Sequence, residues 1–420
     1  MNKIKQPSDT TYAHAIPVGP LGIVAMPGCE EMAKKVDDYI TMWRSDRVNE
    51  IDGYHRDSYL VDASLPRFGS GEAKGVLNQS VRGDDLYILV DVTNYSLTYN
   101  MYGFQSPMSP DDHYANVKRI IAAAGGRAKR ITVIMPFLYE SRQHKRMKRE
   151  SLDCAMALQE LVGMGVSNII TFDAHDPRVQ NAIPCAGFEN VSSTYQFVKA
   201  VLRAVPDLTL DADHMMIISP DEGAVGRAIY FANNLGLDVG MFYKRRDYSK
   251  VVDGKNPIVA HEFLGTSVEG KDVIVVDDMI ASGESVIDVA KQLKARNAGR
   301  IFVCATFGLF TKGMGVFDKA VEEGLIDRIF TTNSIYQNPE TLSRPYYTSV
   351  DLYKYIALLI DRMNHDASIE PLLQYHKKIG GKVKEYQEKQ AAAKKGAEGQ
   401  IWFDGNHSEL VVHDGEKQEG

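Results

Sequence analysis

The residues from Val273 to Ser285, VIVVDDMIASGES, bring together two adjacent carboxylates, a run of small residues and two hydroxyls. Val273–Val276 is apolar without alternation, which suits a strand buried on both faces. Asp277 and Asp278 follow at its carboxyl end, then Met279 and Ile280, then the turn Ala281, Ser282, Gly283, Glu284 and Ser285, where a helix is expected to begin. In open α/β sheets, ligands sit beyond the carboxyl ends of strands. A small-residue turn feeding a helix there aims backbone N–H groups and the helix dipole at one point, which makes an anion site. Ser282 and Ser285 add hydroxyl donors, and Gly283 permits positive φ and close approach of a phosphate. The aspartates can accept hydrogen bonds from two sugar hydroxyls, or hold Mg²⁺ near them. The loop therefore reads as a binding site for a phosphorylated ribose. The bland alternative is a plain strand–turn–helix with two exposed aspartates.

Three further clusters carry chemistry. Arg142-Gln143-His144-Lys145-Arg146 follows the apolar run ITVIMP and the segment FLYES. Such a cluster can grip a polyphosphate and an adenine edge, although alone it is equally a solvated basic face. Phe172-Asp173-Ala174-His175-Asp176 closes another apolar run, and a histidine beside an aspartate there can ligate Mg²⁺ or meet a phosphate. A lone histidine is more often structural. Ser219-Pro220-Asp221-Glu222-Gly223-Ala224-Val225-Gly226-Arg227 places an aspartate between a strand and a glycine turn, which suits metal or sugar. Lys244-Arg245-Arg246 lies downstream on a polar segment, where positive charge would stabilise charge building on a transferred group.

The elements that must position these residues alternate. Apolar runs at Leu86–Val90, Ile131–Met135, Asn168–Phe172, Met215–Ile218, Val273–Val276 and Ile301–Thr306 predict strands. Helix-period segments lie between them at Ala115–Ala124, Leu152–Met164, Gly226–Leu235 and Val286–Arg296. This alternation predicts an α/β fold with parallel, doubly wound sheets. Gly125-Gly126 and Gly236 read as helix stops. The polar first 20 residues read as an extension. After Gln374 the sequence is charged and helix-prone with little apolar periodicity, ending in a solvated tail.

With 420 residues, 44% hydrophobic and 25% charged, the chain can bury a large core without disulfide or metal. A net charge of −7 argues against nucleic acid. Cys29, Cys154, Cys185 and Cys304 form no CxxC pair and read as buried free thiols. The N-terminus has no apolar signal stretch, and no run reaches the roughly 20 apolar residues of a membrane helix. The expectation is a soluble, cytoplasmic protein without membrane partner.

The Val273–Ser285 motif resembles that of type I phosphoribosyltransferases. Taken in order, RFGSGE at Arg67–Glu72, VRGDDLYILV at Val81–Val90, the Arg-Gln cluster, the Asp-x-His motif, SPDEGAVGRA, the Lys-Arg-Arg triplet and the Asp-Asp loop resemble the ribose-phosphate pyrophosphokinase (PRPP synthetase) family from about Leu21 to Leu373. The resemblance implies two tandem type I phosphoribosyltransferase-like domains, each a mostly parallel sheet flanked by helices. These would be 21–190 on the ATP side and 191–350 on the ribose 5-phosphate side. Residues 351–373 would form a helix packing back on the first domain, and 374–420 a charged tail. The implied reaction moves the pyrophosphoryl group of ATP to the 1-hydroxyl of ribose 5-phosphate with Mg²⁺ as cofactor. It implies His175 and Asp221 as metal ligands with ATP, and Lys244 and Arg246 as the catalytic cations. Arg142, Gln143 and His175 would contact ATP. Phe68 and Glu72 would complete an adenine pocket from a neighbouring subunit, within a hexamer or another dimer-based assembly. Asp277 and Asp278 would hold the ribose hydroxyls, with Ala281, Ser282, Gly283, Glu284 and Ser285 around the 5-phosphate.

The chain departs from the family pattern in places. Ala281 stands where an aspartate is common, Ser70 and His144 replace acids, and Glu284 puts negative charge beside a phosphate site. The Asp-x-His motif reads DAHD, Met147–Ala155 does not resemble the family tract linked to regulatory nucleotide, and Asn94–Asp112 is a longer loop. These changes admit an enzyme with a larger ribosyl phosphate as acceptor, a non-catalytic regulatory subunit, or a phosphoribosyltransferase that consumes PRPP. Retention of His175, Asp221, Lys244, Arg246, Asp277 and Asp278 argues against the second, and the Arg-Gln and Lys-Arg-Arg clusters against the third.

Overall fold

The computed structural model describes residues 12, 15–47, 49, 51–246 and 258–398, without the side chains of 244–246, 258–261 and 393–398. In chain order, β1 (Leu21–Ala25) is followed by α1 (Glu30–Ser45), a short pair β2 (Ala63–Ser64) and β3 (Val76–Leu77), β4 (Asp85–Leu89), a hairpin of β5 (Thr98–Met101) and β6 (Phe104–Pro107), and α2 (Pro110–Ala124). Then come β7 (Arg130–Ile134), α3 (Asp153–Gly163), β8 (Asn168–Phe172), a 3-10 turn (Pro177–Ala182) and β9 (Gly187–Val191). Strands β1-β4-β7-β8-β9 form one sheet in that order, parallel throughout. Every residue of β4 is buried. That explains its unbroken apolar run, because a central parallel strand is covered by helices on both faces.

After α4 (Thr194–Ala204), the second half runs β10 (Met215–Ser219), α5 (Val225–Leu235), β11 (Asp238–Arg246), β12 (Ile258–Leu264), β13 (Asp272–Ile280) and α6 (Glu284–Lys294). It continues with β14 (Ile301–Gly308), α7 (Gly315–Glu322), β15 (Arg328–Thr332), α8 (Pro339–Leu342) and β16 (Tyr347–Val350). The sheet order is β12-β11-β10-β13-β14-β15-β16, antiparallel only at the β11–β12 edge. The fold is thus α/β with two mostly parallel sheets, as the alternation of runs and helical segments predicts. The predicted stops hold as well: Gly125 and Gly236 close α2 and α5 in the left-handed conformation, with φ of 56° and 70°.

Three local expectations change. β13 does not end at Val276 but carries the strand through both aspartates to Ile280, because β14 extends beside it and pairs Asp277 with Ala305 and Ile280 with Gly308. The Asn94–Asp112 stretch is not an open loop: β5 and β6 pair antiparallel around Tyr102-Gly103, both with positive φ. Of the four thiols, Cys29, Cys154 and Cys304 are buried, while Cys185 is exposed on the turn before β9.

The C-terminal elements are α9 (Tyr353–Asn364), α10 (Glu370–Leu373) and α11 (His376–Glu398). α9 lies on α1, where buried Asp361 accepts from Arg44 Nε at 3.0 Å and from Arg47 at 2.7 Å. α11 is more than a charged tail. Ile379 and Tyr386 are buried, and the Tyr386 hydroxyl accepts from Leu208 N and donates to Val205 O, each at 2.8 Å. Ile379, Val383 and Tyr386 stand at helical spacing, a stripe too narrow to register among 23 mostly charged and small residues. Among the described residues no helix is long and apolar enough to cross a membrane.

Candidate active site

Each sheet sends one catalytic-looking turn to a common point. From the first, β8 ends at Phe172 and the chain turns sharply at Asp173, which has φ of 38°. The turn is held by the Asp173 carboxylate, which accepts from Ser193 N at 3.1 Å, from the Ser193 hydroxyl, and from Thr306 Oγ1 at 2.7 Å. Thr306 belongs to β14, so this clamp also ties the two sheets together. It presents His175 to the second sheet, where Nδ1 lies 2.9 Å from Oδ2 of Asp278. That hydrogen bond raises the His175 pKa above the ordinary histidine value against the opposing effect of burial.

From the second sheet, alternation along β13 separates the two aspartates. Asp278 is only 4% exposed and faces His175, while Asp277 turns an oxygen to the backbone N–H of Asp278 at 2.8 Å. Arg227, on α5, places Nη1 3.9 Å from a carboxylate oxygen of each. Burial works to raise the Asp278 pKa, but the His175 bond and the Arg227 charge hold it below the usual range. Asp277 goes the other way, pushed well above that range by burial and by the adjacent Asp278 charge. The two neighbouring carboxyls are thus pushed in opposite directions, Asp278 by its cationic partners and Asp277 by burial and a like charge. Asp221 sits in the turn between β10 and α5, its Oδ1 accepting from Gly223 N at 3.0 Å and Ala224 N at 3.3 Å.

Beyond the aspartates, Ala281-Ser282-Gly283 leads into α6. Gly283 has φ of 88°, and a Cβ on it would lie 2.3 Å from Phe317 Cζ. Glycine is therefore required twice over, by backbone conformation and by space. The expected burden of Glu284 is relieved by Lys312, whose ammonium binds the Glu284 carboxylate and lowers its pKa. The Ser282 hydroxyl accepts from Glu284 N at 3.5 Å.

The structure therefore brings His175, Asp277, Asp278 and the 281–285 turn together, with Asp221 close enough to act on His175 electrostatically. The Arg142-Gln143 segment arrives through His144, whose ring packs 5.3 Å from that of His175 and whose Nε2 is 3.5 Å from Asp176. Arg142 is exposed, and Gln143 donates to Ser151 O at 2.9 Å. The Phe68–Glu72 turn stands apart: Arg67 stacks on Tyr99 of the hairpin and pairs with Asp112, and Phe68 is 55% exposed. Lys244 and Arg246 lie on β11, but their side chains fall outside the described residues. Sequence reading missed Arg227, Lys312 and the Ser193–Thr306 clamp. Arg227 stands within the quoted SPDEGAVGRA motif, in the first turn of α5; Lys312 and Thr306 leave no local signal.

Among the described residues no three His, Cys, Asp or Glu side chains cluster as metal ligands. Asp221 supplies a carboxylate of the kind Mg²⁺ takes, the ion completing its shell with phosphate and water, while His175, its Nδ1 bonded to Asp278, has Nε2 as its remaining donor.

The chain matches the family model for the N-terminal domain of ribose phosphate pyrophosphokinase over residues 21–165, and the phosphoribosyl synthetase-associated domain over 250–374. A ribose-phosphate pyrophosphokinase of Vibrio parahaemolyticus is 30% identical over 319 residues, covering 74% of this chain and 91% of the relative. One of Mycoplasma pneumoniae is 33% identical over 275 residues, 64% of this chain and 75% of the relative. The crystal structure of phosphoribosylpyrophosphate synthetase from Mycobacterium smegmatis superimposes with a TM-score of 0.65 at 21% identity, covering 83% of this chain and 99% of that one, and so shares its fold. With the two motif-bearing turns meeting at Asp278, these matches establish that the chain belongs to the ribose-phosphate pyrophosphokinase family.

Proposed function

We propose that the protein transfers the β,γ-pyrophosphoryl group of ATP to the 1-hydroxyl of ribose 5-phosphate, releasing PRPP and AMP. The observation that carries this reading is the Asp277–Asp278 pair, set beside His175 and Arg227 and next to the 281–285 turn. Asp278 accepts from one ribose hydroxyl, and Asp277 is placed to donate to or accept from the other. The 5-phosphate rests on the Ala281–Ser285 turn, where Ser282 and Ser285 offer hydroxyls and the α6 N-terminus offers backbone N–H groups. The 1-hydroxyl attacks the β-phosphorus of ATP, a displacement that needs positioning and charge neutralisation more than covalent help.

In this reading Arg142 and Gln143 hold ATP, with His175 alongside. Phe68 and Glu72 reach the adenine of a neighbouring subunit in a dimer-based assembly, and Lys244 and Arg246 take up charge on the transferred group. The first 21–190 and second 191–350 segments serve as the ATP and ribose 5-phosphate sides. Asp221 and His175 would hold Mg²⁺, which supplies neutralisation of the phosphate charge when bound. Incubating the protein with ATP, Mg²⁺ and ribose 5-phosphate and identifying products by mass tests the proposal. AMP and PRPP in equal amounts are expected; absence of AMP at every metal and phosphate concentration refutes it.

A further inference from the structure

A cavity of about 840 Å³ lies between α4, the β15–β16 edge, α9 and the α10–α11 segment, and shares no residue with the site above. Its volume is in the range of small-molecule sites. Among the described residues six cationic side chains line it, Lys199, Arg203, Arg328, Lys354, Arg362 and Lys378, against the single carboxylate of Asp351. That carboxylate is already engaged, accepting from Asn333 Nδ2 at 3.1 Å and from Tyr353 N at 3.0 Å. Arg328 donates to the Thr348 hydroxyl at 3.2 Å and Lys378 to Pro371 O at 3.1 Å, while Lys354 lies over the Tyr39 ring. Among the described residues no ion pair joins Lys199, Arg203, Arg328, Lys354 or Lys378 to a carboxylate.

Cations gathered in one concavity repel each other, and the repulsion is relieved when an anion enters. The crowding is felt at Lys199, whose pKa is lowered by burial and then by the Arg203, Lys354 and Lys382 charges, against the opposing effect of Asp351. Lys378 is lowered too, by burial and by Arg362. One wall is made by Pro371, Leu372, Tyr375 and Lys378 of the C-terminal segment, with the Tyr375 ring stacked on Tyr195 of α4 at 5.6 Å. The wall is firm, since Ile379 and Tyr386 anchor α11 on the body.

We propose that this cavity binds a small polyphosphate, its phosphate oxygens bridging Arg203 and Lys199 of α4 to Arg328, Lys354 and Lys378. Guanidinium and ammonium donors converging from several elements recognise a chain of phosphates rather than a single monoanion. The phosphates could belong to an inorganic chain or to a nucleotide, and the test separates the two.

Hydrogen–deuterium exchange is followed on the full-length protein with tripolyphosphate, with ADP, and with polyglutamate as a carboxylate control. Tripolyphosphate is expected to protect peptides spanning 194–204 and 370–392. The Arg203→Gln/Lys354→Gln double variant should need at least about tenfold more ligand, and the charge-conserving Arg203→Lys/Lys354→Arg variant should retain protection. Protection around 277–290 reports the catalytic loop and should be the same in all three proteins. Protection of α4 and α11 by ADP alone assigns the phosphates to a nucleotide, and by both ligands to the phosphate chain itself. Protection confined to 277–290 overturns the proposal. So does protection of α4 and α11 that survives charge removal, or that polyglutamate matches.

Discussion

Gly283→Ala is the sharpest probe of how the phosphate turn is built. Two separable costs apply. The left-handed backbone, with φ of 88°, costs an alanine about 1–2 kcal/mol. The new Cβ would lie 2.3 Å from Cζ and 2.7 Å from Cε2 of Phe317. Phe317, a residue of α7, is fully buried, so overpacking adds about 1–3 kcal/mol. The sum is about 2–5 kcal/mol. Gly126 supplies the control, because it has φ of 67° and a Cβ added there would meet nothing within 4 Å; Gly126→Ala carries the backbone cost alone, about 1–2 kcal/mol. Urea unfolding at one fixed protein concentration measures both, which keeps any linkage to assembly constant. Moving the ring or the turn also displaces the first amides of α6, so the KM for ribose 5-phosphate should rise in Gly283→Ala and not in Gly126→Ala. Equal destabilisation by the two substitutions would refute the packing argument. An unchanged KM in a folded Gly283→Ala protein would refute the placement of the phosphate on this turn.

Asp278→Asn removes the partner that raises His175, so the His175 pKa should fall towards 6.5 in an NMR titration. Because a raised histidine pKa stabilises the fold fully below 6.5 and less as pH rises through the folded value, wild type should lose stability over that window. The variant should not, and a wild-type-like pH profile in the variant would contradict the pairing. Asp361→Asn leaves Arg44 and Arg47 buried without their common anion and should cost about 3–5 kcal/mol in urea unfolding; a loss under about 1 kcal/mol would mean that the network is neutral. Lys312→Ala frees the Glu284 carboxylate and should raise the KM for ribose 5-phosphate about 2- to 5-fold, as befits a screened surface charge. Adding Glu284→Gln should restore it, and failure of that rescue would show that Lys312 acts otherwise.

The parallel sheets were legible because each central strand is buried on both faces and so is written as an unbroken apolar run, as in Leu86–Leu89 and Val273–Val276. Gly125 and Gly236 were legible because a left-handed helix end admits few residues. The strand's passage through Asp277 and Asp278 was not, since polar residues on a strand are sustained by the neighbour β14 and not by their own propensity. α11 hid for a related reason: its three apolar contacts are few, and one of them works through a phenol that bonds backbone 178 residues away.

By itself the sequence determined which chemical groups were available and at which strand ends they stand, because motif spacing and burial period are local properties of the chain. Only the tertiary structure decided how they act on one another. Asp277 and Asp278 are adjacent and chemically identical in sequence, yet alternation turns one to His175 and leaves the other beside a like charge, so their pKa values move apart. His175 meets Asp278 across 103 residues, and Lys312 neutralises Glu284 across 28. Electrostatic interaction falls with distance through space and not along the chain. The character of this site was therefore set when the two sheets came together.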